Sequence, residues 1–324
     1  MAERLLIKAL YGGKNTKIIT LNGKKMKKMP SALGRLPGLR ILLLQNNLIS
    51  KVCPEISILT QLTALNLGNN LLEEVPEEMK YLTTLKKLHL FGNRIGRFAP
   101  GACDGLQNLI LLNLNKNQLT WLPQEVSRLK RLKYLSINHN RLACLPRELC
   151  FLRNLSELQL NHNKLICIPG EIGSLKKLQK LCLACNDIET LPEFQNLKLR
   201  EFYCEGNPLF LKQPIFAALK EDDVWSLQEI TLRFIMNELA EQNPLLMHAL
   251  EWYPEVKNKI AQEKSCAVCG KPFITPWLEC VRFVRPPKNW KISKNLHLVP
   301  LQTFTCCHKC FIHRGRNLFA IGQA

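Results

Sequence analysis

The chain has 324 residues, 46% of them hydrophobic, which is ample for a packed core and leaves room for more than one domain. Its formal charge of +19 lies at the two ends, with +8 on residues 1–38 and +10 on residues 257–324, against +1 on residues 39–256. Neither end interleaves aromatic with basic residues, and no run approaches the ~20 apolar residues of a membrane-spanning helix, so we expect neither nucleic-acid binding nor a membrane span.

The beginning of the chain does not resemble a secretory signal. Arg4 and Lys8 flank only a short apolar patch, and no small-residue cleavage site is present after it. We therefore expect a cytoplasmic protein, with the nucleus as an alternative, whose 14 cysteines are thiols or metal ligands rather than disulfides. Residues 1–38 are predicted to form an N-terminal capping unit.

A pattern of nine residues, L-x-x-L-x-L-x-x-N, recurs eight times from residue 39 onward. Its asparagines are spaced by 23, 23, 24, 23, 23, 23 and 21 residues, and residues 16–24 form a degenerate opening unit. The L-x-L core predicts a short strand with alternate residues facing inward, and the asparagine can satisfy backbone groups where the strand ends. Because stacked units bury leucines that no single unit can bury, the repeat predicts a curved stack lined by parallel strands. The asparagines are Asn47, Asn70, Asn93, Asn117, Asn140, Asn163, Asn186 and Asn207.

This pattern, with a leucine–proline step in the second half of most units, resembles the leucine-rich-repeat family, in particular the group that includes Ras-suppressor and Shoc-type scaffolds. The resemblance implies an α/β solenoid with a parallel sheet on its concave face, here over residues 39–211, and an intracellular protein-binding function. Three further segments resemble a single family within the leucine-rich-repeat proteins along nearly the whole chain. These are LLIKALYGGKNTKIITLNGKKM, FAPGACDGLQNLILLNL and the tail from WLECVRFV to WKISKNL.

The outward-facing strand positions are the candidate partner-binding residues, because the inward leucines have a structural role only. Their middle column runs Leu43, Asn66, His89, Asn113, Ser136, Gln159, Cys182 and Tyr203. For any single residue, a solvated side chain without a binding role is the alternative interpretation. The predicted partner-binding set on the concave face is Lys87, His89, Phe91, Leu111, Asn113, Tyr134, Glu157, Gln159, Lys180 and Tyr203.

Two local irregularities leave alternatives open. Lys116, His139, His162 and Cys185 occupy one position in successive units, so they could in principle bind a metal, although no fourth ligand is evident. The last interval is two residues short, which indicates either a tight junction or a repeat lost near residues 192–199.

Residues 212–260 are predicted to form a helical capping segment, since the last repeat would otherwise leave its apolar side open. Ser226 with Glu229 three positions later is a capping-box pattern, which predicts a helix over residues 226–242. Its apolar stripe is expected to pack against the last repeat. The stripe consists of Leu227, Ile230, Thr231, Phe234 and Ile235.

Residues 261–324 carry two close cysteine pairs, Cys266 with Cys269, and Cys306 or Cys307 with Cys310. Two such pairs on tight turns are typical of a tetrahedral zinc site, closed and structural because protein thiolates supply every ligand. The pattern therefore predicts a small zinc-ribbon-like module, with strands in WLECVRFV and LHLVPLQTF. Free thiols on a packed domain are the alternative, and His308 and His313 are alternative ligands.

The tail also resembles the ends of leucine-rich-repeat substrate receptors of cullin ubiquitin ligases. Leu227, Thr231 and Ile235 are similar to their elongin-binding box, although that box usually has cysteine where Thr231 stands. The last cysteine pair of such tails reads C-x-x-x-C, which favours Cys306 and Cys310 as ligands. The resemblance implies a receptor that binds elongin B and C and a cullin.

The sequence contains no nucleophile motif, phosphate loop or paired catalytic carboxylates, so we predict that the protein is not an enzyme. The leading hypothesis is a protein-interaction scaffold, and the alternative is a substrate-recognition subunit of an elongin–cullin ubiquitin ligase.

Overall fold

The computed structural model describes residues 2–192, 197–209, 226–241, 243–261, 263–274, 276, 278–285, 290–291, 298–307 and 310. The chain forms two compact units. The first consists of residues 1–189, 194–208 and 287–295, and the second of residues 190–193, 209–286 and 296–324. The predicted helical segment thus belongs to the second unit together with the predicted cysteine-rich module, except for residues 287–295 of that module, which belong to the first unit.

The described strands are short, and most coincide with the L-x-L positions of the repeats. In chain order they are β1 Ile18–Thr20, β2 Ile41–Leu43, β3 Ala64–Asn66, β4 Glu74–Val75, β5 Lys87–His89, β6 Arg97–Phe98, β7 Leu111–Asn113, β8 Tyr134–Ser136, β9 Glu157–Gln159, β10 Lys180–Cys182, β11 Leu191–Pro192, β12 Glu201–Tyr203, β13 Lys264–Ser265, β14 Pro272–Phe273, β15 Leu278–Val284, β16 Trp290–Lys291 and β17 Val299–Thr305.

Five α-helices and eight 3-10 helices accompany these strands in the described residues. The α-helices are α1 Ala2–Tyr11, α2 Ala102–Gly105, α3 Leu227–Ala240, α4 Pro244–Ala249 and α5 Pro254–Ile260. None of them is long and apolar enough to cross a membrane. All but the first of the 3-10 helices lie in the second half of a repeat or of the opening unit. The eight span Gly13–Asn15, Ser31–Arg35, Pro54–Ile58, Glu77–Tyr81, Leu106–Asn108, Gln124–Arg128, Arg147–Phe151 and Gly170–Ser174.

The first unit contains one parallel sheet of ten described strands, in the order β1-β2-β3-β5-β7-β8-β9-β10-β12-β16. Equivalent residues stand opposite one another, so that Leu42 faces Leu65 and Leu65 faces Leu88. These leucines are fully buried, as the alternation of the pattern requires. The degenerate opening unit supplies β1, where Ile19 is buried next to Leu42. The predicted solenoid is confirmed.

The asparagine ladder, which comprises the eight repeat asparagines, replaces strand pairing where each strand ends. Asn140, for example, donates its Nδ2 group to the carbonyls of Leu114 at 3.0 Å and Ile137 at 3.2 Å. Its Oδ1 atom accepts the backbone N–H of Leu119 at 3.0 Å. The same donor pattern recurs from Asn47 to Asn207. Each side chain therefore satisfies buried backbone groups of its own rung and of its neighbours.

The residue before each ladder asparagine has a left-handed backbone, with φ between 52° and 71°. This conformation costs little for glycine, but about 1–2 kcal/mol for most other residues. Because the turn recurs in every rung, the fold imposes the conformation whatever the side chain. The eight positions are Asn46, Asn69, Gly92, Lys116, His139, His162, Cys185 and Gly206.

The last strand of the ten-stranded sheet does not come from a repeat. Strand β16 pairs in parallel with β12, so that Trp290 stands opposite Phe202 and Lys291 opposite Tyr203. Part of the C-terminal region therefore covers the edge that the final repeat would leave open.

The second unit has a three-stranded sheet in the order β11-β17-β15, in which β15 and β17 are antiparallel. These two strands correspond to those predicted in WLECVRFV and LHLVPLQTF. Strands β13 and β14 form an antiparallel hairpin beside it. Helix α3 begins after Ser226, whose Oγ accepts the backbone N–H of Glu229 at 3.2 Å, so the predicted helix and its N-cap are confirmed.

The predicted orientation of α3 is wrong. The helix packs on β14 and buries Glu229, Leu232 and Met236. Ile230 and Phe234 of the predicted stripe remain 46% and 61% exposed. Periodicity identifies an apolar stripe on a helix but not which face meets the neighbouring element. Here a buried ion pair that includes Glu229 selects the opposite face.

Candidate functional site

The concave surface of the first unit carries all ten predicted partner-binding residues. Lys87 and Tyr134 are exposed, and the other eight are half-buried. Cys182 of the middle column is an exception to the predicted pattern, because it is 4% exposed between Gln159 and Tyr203 of the adjacent strands. The ten side chains thus share one solvent-facing surface, with the ring of Phe91 edge-on to His89.

A row of asparagines lies just after the strands of three successive rungs. The Oδ1 atom of Asn115 accepts the backbone N–H of Asn138 at 2.7 Å, and Oδ1 of Asn138 accepts that of Asn161 at 2.8 Å. Oδ1 of Asn161 in turn accepts the N–H of Ala184 at 2.8 Å. Sequence reasoning missed this row, although Asn recurs two residues before the ladder asparagine in three consecutive units.

The alternative metal site on the repeats is wrong. His139 and His162 stack with their ring centroids 4.2 Å apart and their planes 9° apart. The described residues contain one group of three or more side chains arranged to hold a metal, and neither these histidines nor Cys185 belongs to it. Burial, then the neighbouring His162 and Lys116, lowers the pKa of His139 from its ordinary value. Within this column the two histidines thus form one pair of stacked imidazole rings.

The group that could hold a metal consists of Cys266, Cys269, Cys306 and Cys310, whose sulfur atoms all lie within 4.8 Å of one another. The Sγ atom of Cys306 is 3.7 Å from that of Cys269 and 3.6 Å from that of Cys310. Four thiolates at the zinc–sulfur distance of about 2.3 Å in a tetrahedral site would lie about 3.8 Å apart. Cys307 is not in this group, and His308 and His313 lie outside the described residues.

The local backbone explains how the two pairs meet. The β13–β14 hairpin presents Cys266 and Cys269 on a turn in which the N–H of Gly270 donates to the carbonyl of Cys266 at 2.9 Å. Gly270 has φ of 71°, which a glycine adopts without strain. Cys306 comes directly after β17, and the N–H of Ala267 donates to Phe304 of that strand. Hairpin and strand therefore bring the pairs to one point.

The thiols differ in pKa because backbone N–H groups surround one of them, whereas burial dominates for the others. Burial alone would raise the pKa of Cys266, but the backbone N–H groups of Cys269, Val268 and Cys306 lower it to about 7. Burial, with the neighbouring thiols, raises the pKa of Cys306 and that of Cys310, the latter to about 12. Several thiolates can coexist at these distances only if a cation neutralises them.

A buried ion pair on α3 supports the cysteine cluster. Arg233 Nε donates to Glu229 Oε1 at 2.6 Å, and Arg233 Nη2 donates to the carbonyl of Cys306 at 3.1 Å. The same Glu229 oxygen accepts the backbone N–H of Ile274, the residue after β14, at 3.2 Å. Sequence reasoning recognised Glu229 only as a capping residue. The spacing of Glu229 and Arg233 by four residues, on the helix face opposite the apolar stripe, could have indicated this ion pair from the sequence.

The three residues similar to an elongin-binding box lie on α3. Thr231 is exposed and Ile235 is half-buried, while the side chain of Leu227 lies outside the described residues. Leu245, Trp252 and Tyr253, which follow α3 in the predicted helical capping segment, are also exposed.

Comparison with known proteins agrees with this geometry. A family model described as Leucine rich repeat matches residues 37–95, 83–142 and 107–165. The matched repeats, the parallel sheet and the asparagine ladder together define a leucine-rich-repeat protein.

Full-length relatives narrow this class. Leucine-rich repeat-containing protein 69 of Homo sapiens is 70% identical, with 100% of both chains covered. The Mus musculus protein of that name is 58% identical, again over 100% of both chains, and that of Xenopus laevis is 49% identical over 99% of both. The chain belongs to the family of leucine-rich repeat-containing protein 69. The resemblance predicted from three distinctive segments is confirmed.

The alignment with the human relative spans 347 positions, whereas this chain has 324 residues. At least 23 aligned positions therefore have no residue here, and 23 is also the prevailing spacing of the repeat asparagines. The difference between the span of the alignment and the length of this chain thus equals one repeat spacing.

Two solved structures share the repeat fold over part of the chain. The leucine-rich-repeat protein LIC12759 of Leptospira interrogans has a TM-score of 0.54 and 35% identity, covering 61% of this chain and 57% of its own. The plant peptide hormone receptor RGFR1 in complex with RGF2 has a TM-score of 0.54 and 27% identity, covering 60% of this chain and 32% of its own.

Proposed function

We propose that the protein is a non-catalytic scaffold that binds a partner protein through the concave face of its repeats. The observation that carries the proposal is the continuous parallel sheet, along which ten predicted contact residues share one solvent-facing surface. Mixed charged, amide and aromatic side chains on such a surface are typical of protein contacts. The similar plant receptor, which is in complex with RGF2, supports a binding role for this architecture.

The proposal is tested by affinity purification and mass spectrometry with two matched variants. Tyr134→Glu changes an aromatic side chain on the concave surface that is 41% exposed, whereas Phe151→Glu changes one at the end of a 3-10 helix that is 52% exposed. We expect the Tyr134 variant to lose partners that the Phe151 variant retains. The reverse pattern would place the interface on the 3-10 side of the repeats.

We also propose that Cys266, Cys269, Cys306 and Cys310 bind a structural zinc ion. The sulfur spacing supports this proposal. The small apolar core around the cluster supports it too, because Phe273 is the one fully buried aromatic residue that the structure describes in that core. Four protein ligands leave no open position for a substrate or an activated water, which agrees with a non-catalytic role.

Elemental analysis of the purified full chain should find about one zinc per molecule. We expect the double variant Cys266→Ser with Cys310→Ser to lose it. A matched control is Cys144→Ser with Cys167→Ser, which removes two exposed thiols of the repeats. Full zinc content in the first variant, or its loss in the control, would contradict the assignment.

A second candidate function is substrate recognition for an elongin–cullin ubiquitin ligase. The observation that favours it is that Thr231 and the neighbouring apolar residues Ile230 and Phe234 face solvent on α3. An apolar helix face that stays exposed is suited to insertion into a partner's groove. In this hypothesis the repeats select a substrate, while residues 226–260 bind elongin B and C and a cullin.

A pull-down with the intact chain should then recover elongin B and C. Leu227→Asp should abolish recovery, whereas Gln228→Asp, at an exposed polar position of the same helix, should not. An intact chain that recovers no elongin would eliminate the ligase hypothesis and leave the scaffold hypothesis unchanged.

A further inference from the structure

The hydrogen bonds on the concave surface fix which way its amide side chains point. A backbone N–H can only donate, so the atoms of Asn115 and Asn161 that accept such bonds from Asn138 and Ala184 must be oxygens. Asn113 is fixed in the same way by the N–H of Asn115, at 3.0 Å. The orientation of these three amides therefore does not depend on an ambiguous choice between oxygen and nitrogen.

The hydrogen bonds also fix the orientation of the Gln159 amide. Because Oδ1 of Asn138 already accepts the N–H of Asn161, its Nδ2 group must be the donor to Gln159 Oε1 at 3.1 Å. Gln159 Oε1 lies 3.0 Å from the hydroxyl of Ser136 as well. The oxygen of Gln159 is thus used within the surface, and its NH₂ group is not.

Four NH₂ groups have no hydrogen-bond partner within the part of the chain that the structure describes. They belong to a set that we call the donor surface, and they come from the rungs of β7 and β9, which flank the rung of β8. Lys116, His139 and His162, each exposed and each next to an asparagine of the row, add further donors along one side. The four amides are Asn113, Asn115, Gln159 and Asn161.

Acceptors are scarce on the same surface. On the three strands that carry it, Glu157 is the only carboxylate, and the amide oxygens are occupied by the row itself. A ligand that complements this surface must supply acceptors and few donors. Carboxylates meet that requirement best, because an ionised carboxylate only accepts, has room for about four hydrogen bonds, and forms stronger bonds than a neutral carbonyl.

We infer that the donor surface binds an extended acidic segment of the partner protein, with Asp or Glu side chains seated on the amides of Asn113, Asn115, Gln159 and Asn161. This inference rests on the proposed scaffold function and specifies the chemistry of its partner. A peptide fits better than a nucleic acid, because neutral amides and one lysine supply little of the charge that a phosphate backbone requires.

The test uses the full chain, immobilised, and a displayed library of random dodecapeptides. We expect the recovered peptides to be enriched in Asp and Glu. For a representative acidic peptide, replacing each Glu by Gln should weaken binding by at least about tenfold, since charge-assisted bonds become neutral ones. Enrichment of basic or apolar peptides, or no enrichment, would overturn the inference.

Two substitutions reverse the donor surface without disturbing its internal bonds. In Asn113→Asp with Asn161→Asp, each aspartate retains the oxygen that accepts a backbone N–H, and each outward NH₂ becomes a carboxylate oxygen. We expect this variant to lose the acidic peptide by at least about tenfold. The control with equal charge is Gln118→Glu with Gln124→Glu, whose side chains are exposed outside the strands and should leave binding unchanged.

Two further results separate this inference from the proposed function. If a labelled oligothymidylate binds the chain and displaces the recovered peptides, the occupant is a nucleic acid and the acidic-peptide assignment is overturned. If the peptides fail while Tyr134→Glu still abolishes capture of a partner, only the chemistry assigned to the partner is wrong, because the scaffold function is then supported independently.

Discussion

Arg233 of helix α3 donates to the carbonyl oxygen of Cys306, a residue of the cysteine cluster, at 3.1 Å. The guanidinium is held for this contact by Glu229, and the two side chains are only 13% and 5% exposed. A helix and a cluster of thiols that are distant in sequence therefore share one hydrogen-bond network.

Arg233→Ala is expected to weaken metal binding by the cluster by about tenfold or more, because residues that orient metal ligands contribute on that scale. Competition with a chromophoric chelator would measure the affinity. Arg285→Ala removes an exposed arginine of the same unit and should leave it unchanged. Equal affinity of the Arg233 variant and the native chain would show that Cys306 needs no support from α3.

Asn140→Ala is expected to lower the free energy of unfolding by about 2 kcal/mol, because it leaves the buried N–H of Leu119 without a partner. The carbonyls of Leu114 and Ile137 also lose one donor each, but they keep those of Asn117 and Asn163. Denaturant unfolding monitored by circular dichroism would measure the change. Asn154→Ala removes a half-buried asparagine whose hydrogen bond to the carbonyl of Lys130 is exposed, and should cost no more than about 0.5 kcal/mol. Similar costs for the two would contradict the role of the ladder.

Gly105→Ala is expected to destabilise the repeats by at least about 3 kcal/mol, because a β-carbon at this position would overlap the carbonyl oxygen of Lys80. At Gly170 nothing lies within 4 Å of the added carbon. Gly170→Ala should therefore change stability by less than about 1 kcal/mol. Thermal unfolding would compare the two, and a tolerated alanine at residue 105 would refute the close approach.

The stacked histidines predict a dependence of stability on pH. Burial, then His162 and Lys116, lowers the pKa of His139 below its ordinary value of 6.5, so the folded chain binds this proton less readily than the unfolded chain does. The free energy of unfolding should not depend on this group above pH 6.5. It should fall as the pH drops from 6.5 toward the lower pKa of His139 in the folded chain. His139→Gln should remove part of that decline in the melting temperature. His248→Gln, on the exposed surface of α4, should not, and an equal effect of both would contradict the prediction.

The parts that the sequence predicted are those that recur or that lie close together in the chain. The L-x-L strands and the asparagine ladder repeat at a nearly fixed spacing, so a single physical argument applied to every unit. The cap at Ser226 and the cysteine turn at Gly270 involve residues within a few positions of each other, and local sequence decides such features.

The parts that were missed depend on which distant segments meet. The periodicity of α3 revealed Ile230 and Phe234 as a stripe, but only the position of Ile274 explains why Glu229 faces inward instead. Strand β16 has no repeat pattern, and nothing near Trp290 indicates that it pairs with β12. Long-range pairing of this kind is not encoded in local periodicity.

The pairing of β16 with β12 bears on synthesis of the chain. The repeats can assemble one after another as they emerge from the ribosome, since each strand finds its neighbour in the preceding unit. The edge at Phe202 and Tyr203, however, must wait for Trp290 and Lys291, which are made much later. Until then it offers unpaired backbone groups to any other nascent chain, so a polypeptide shortened before residue 290 should be the form that aggregates.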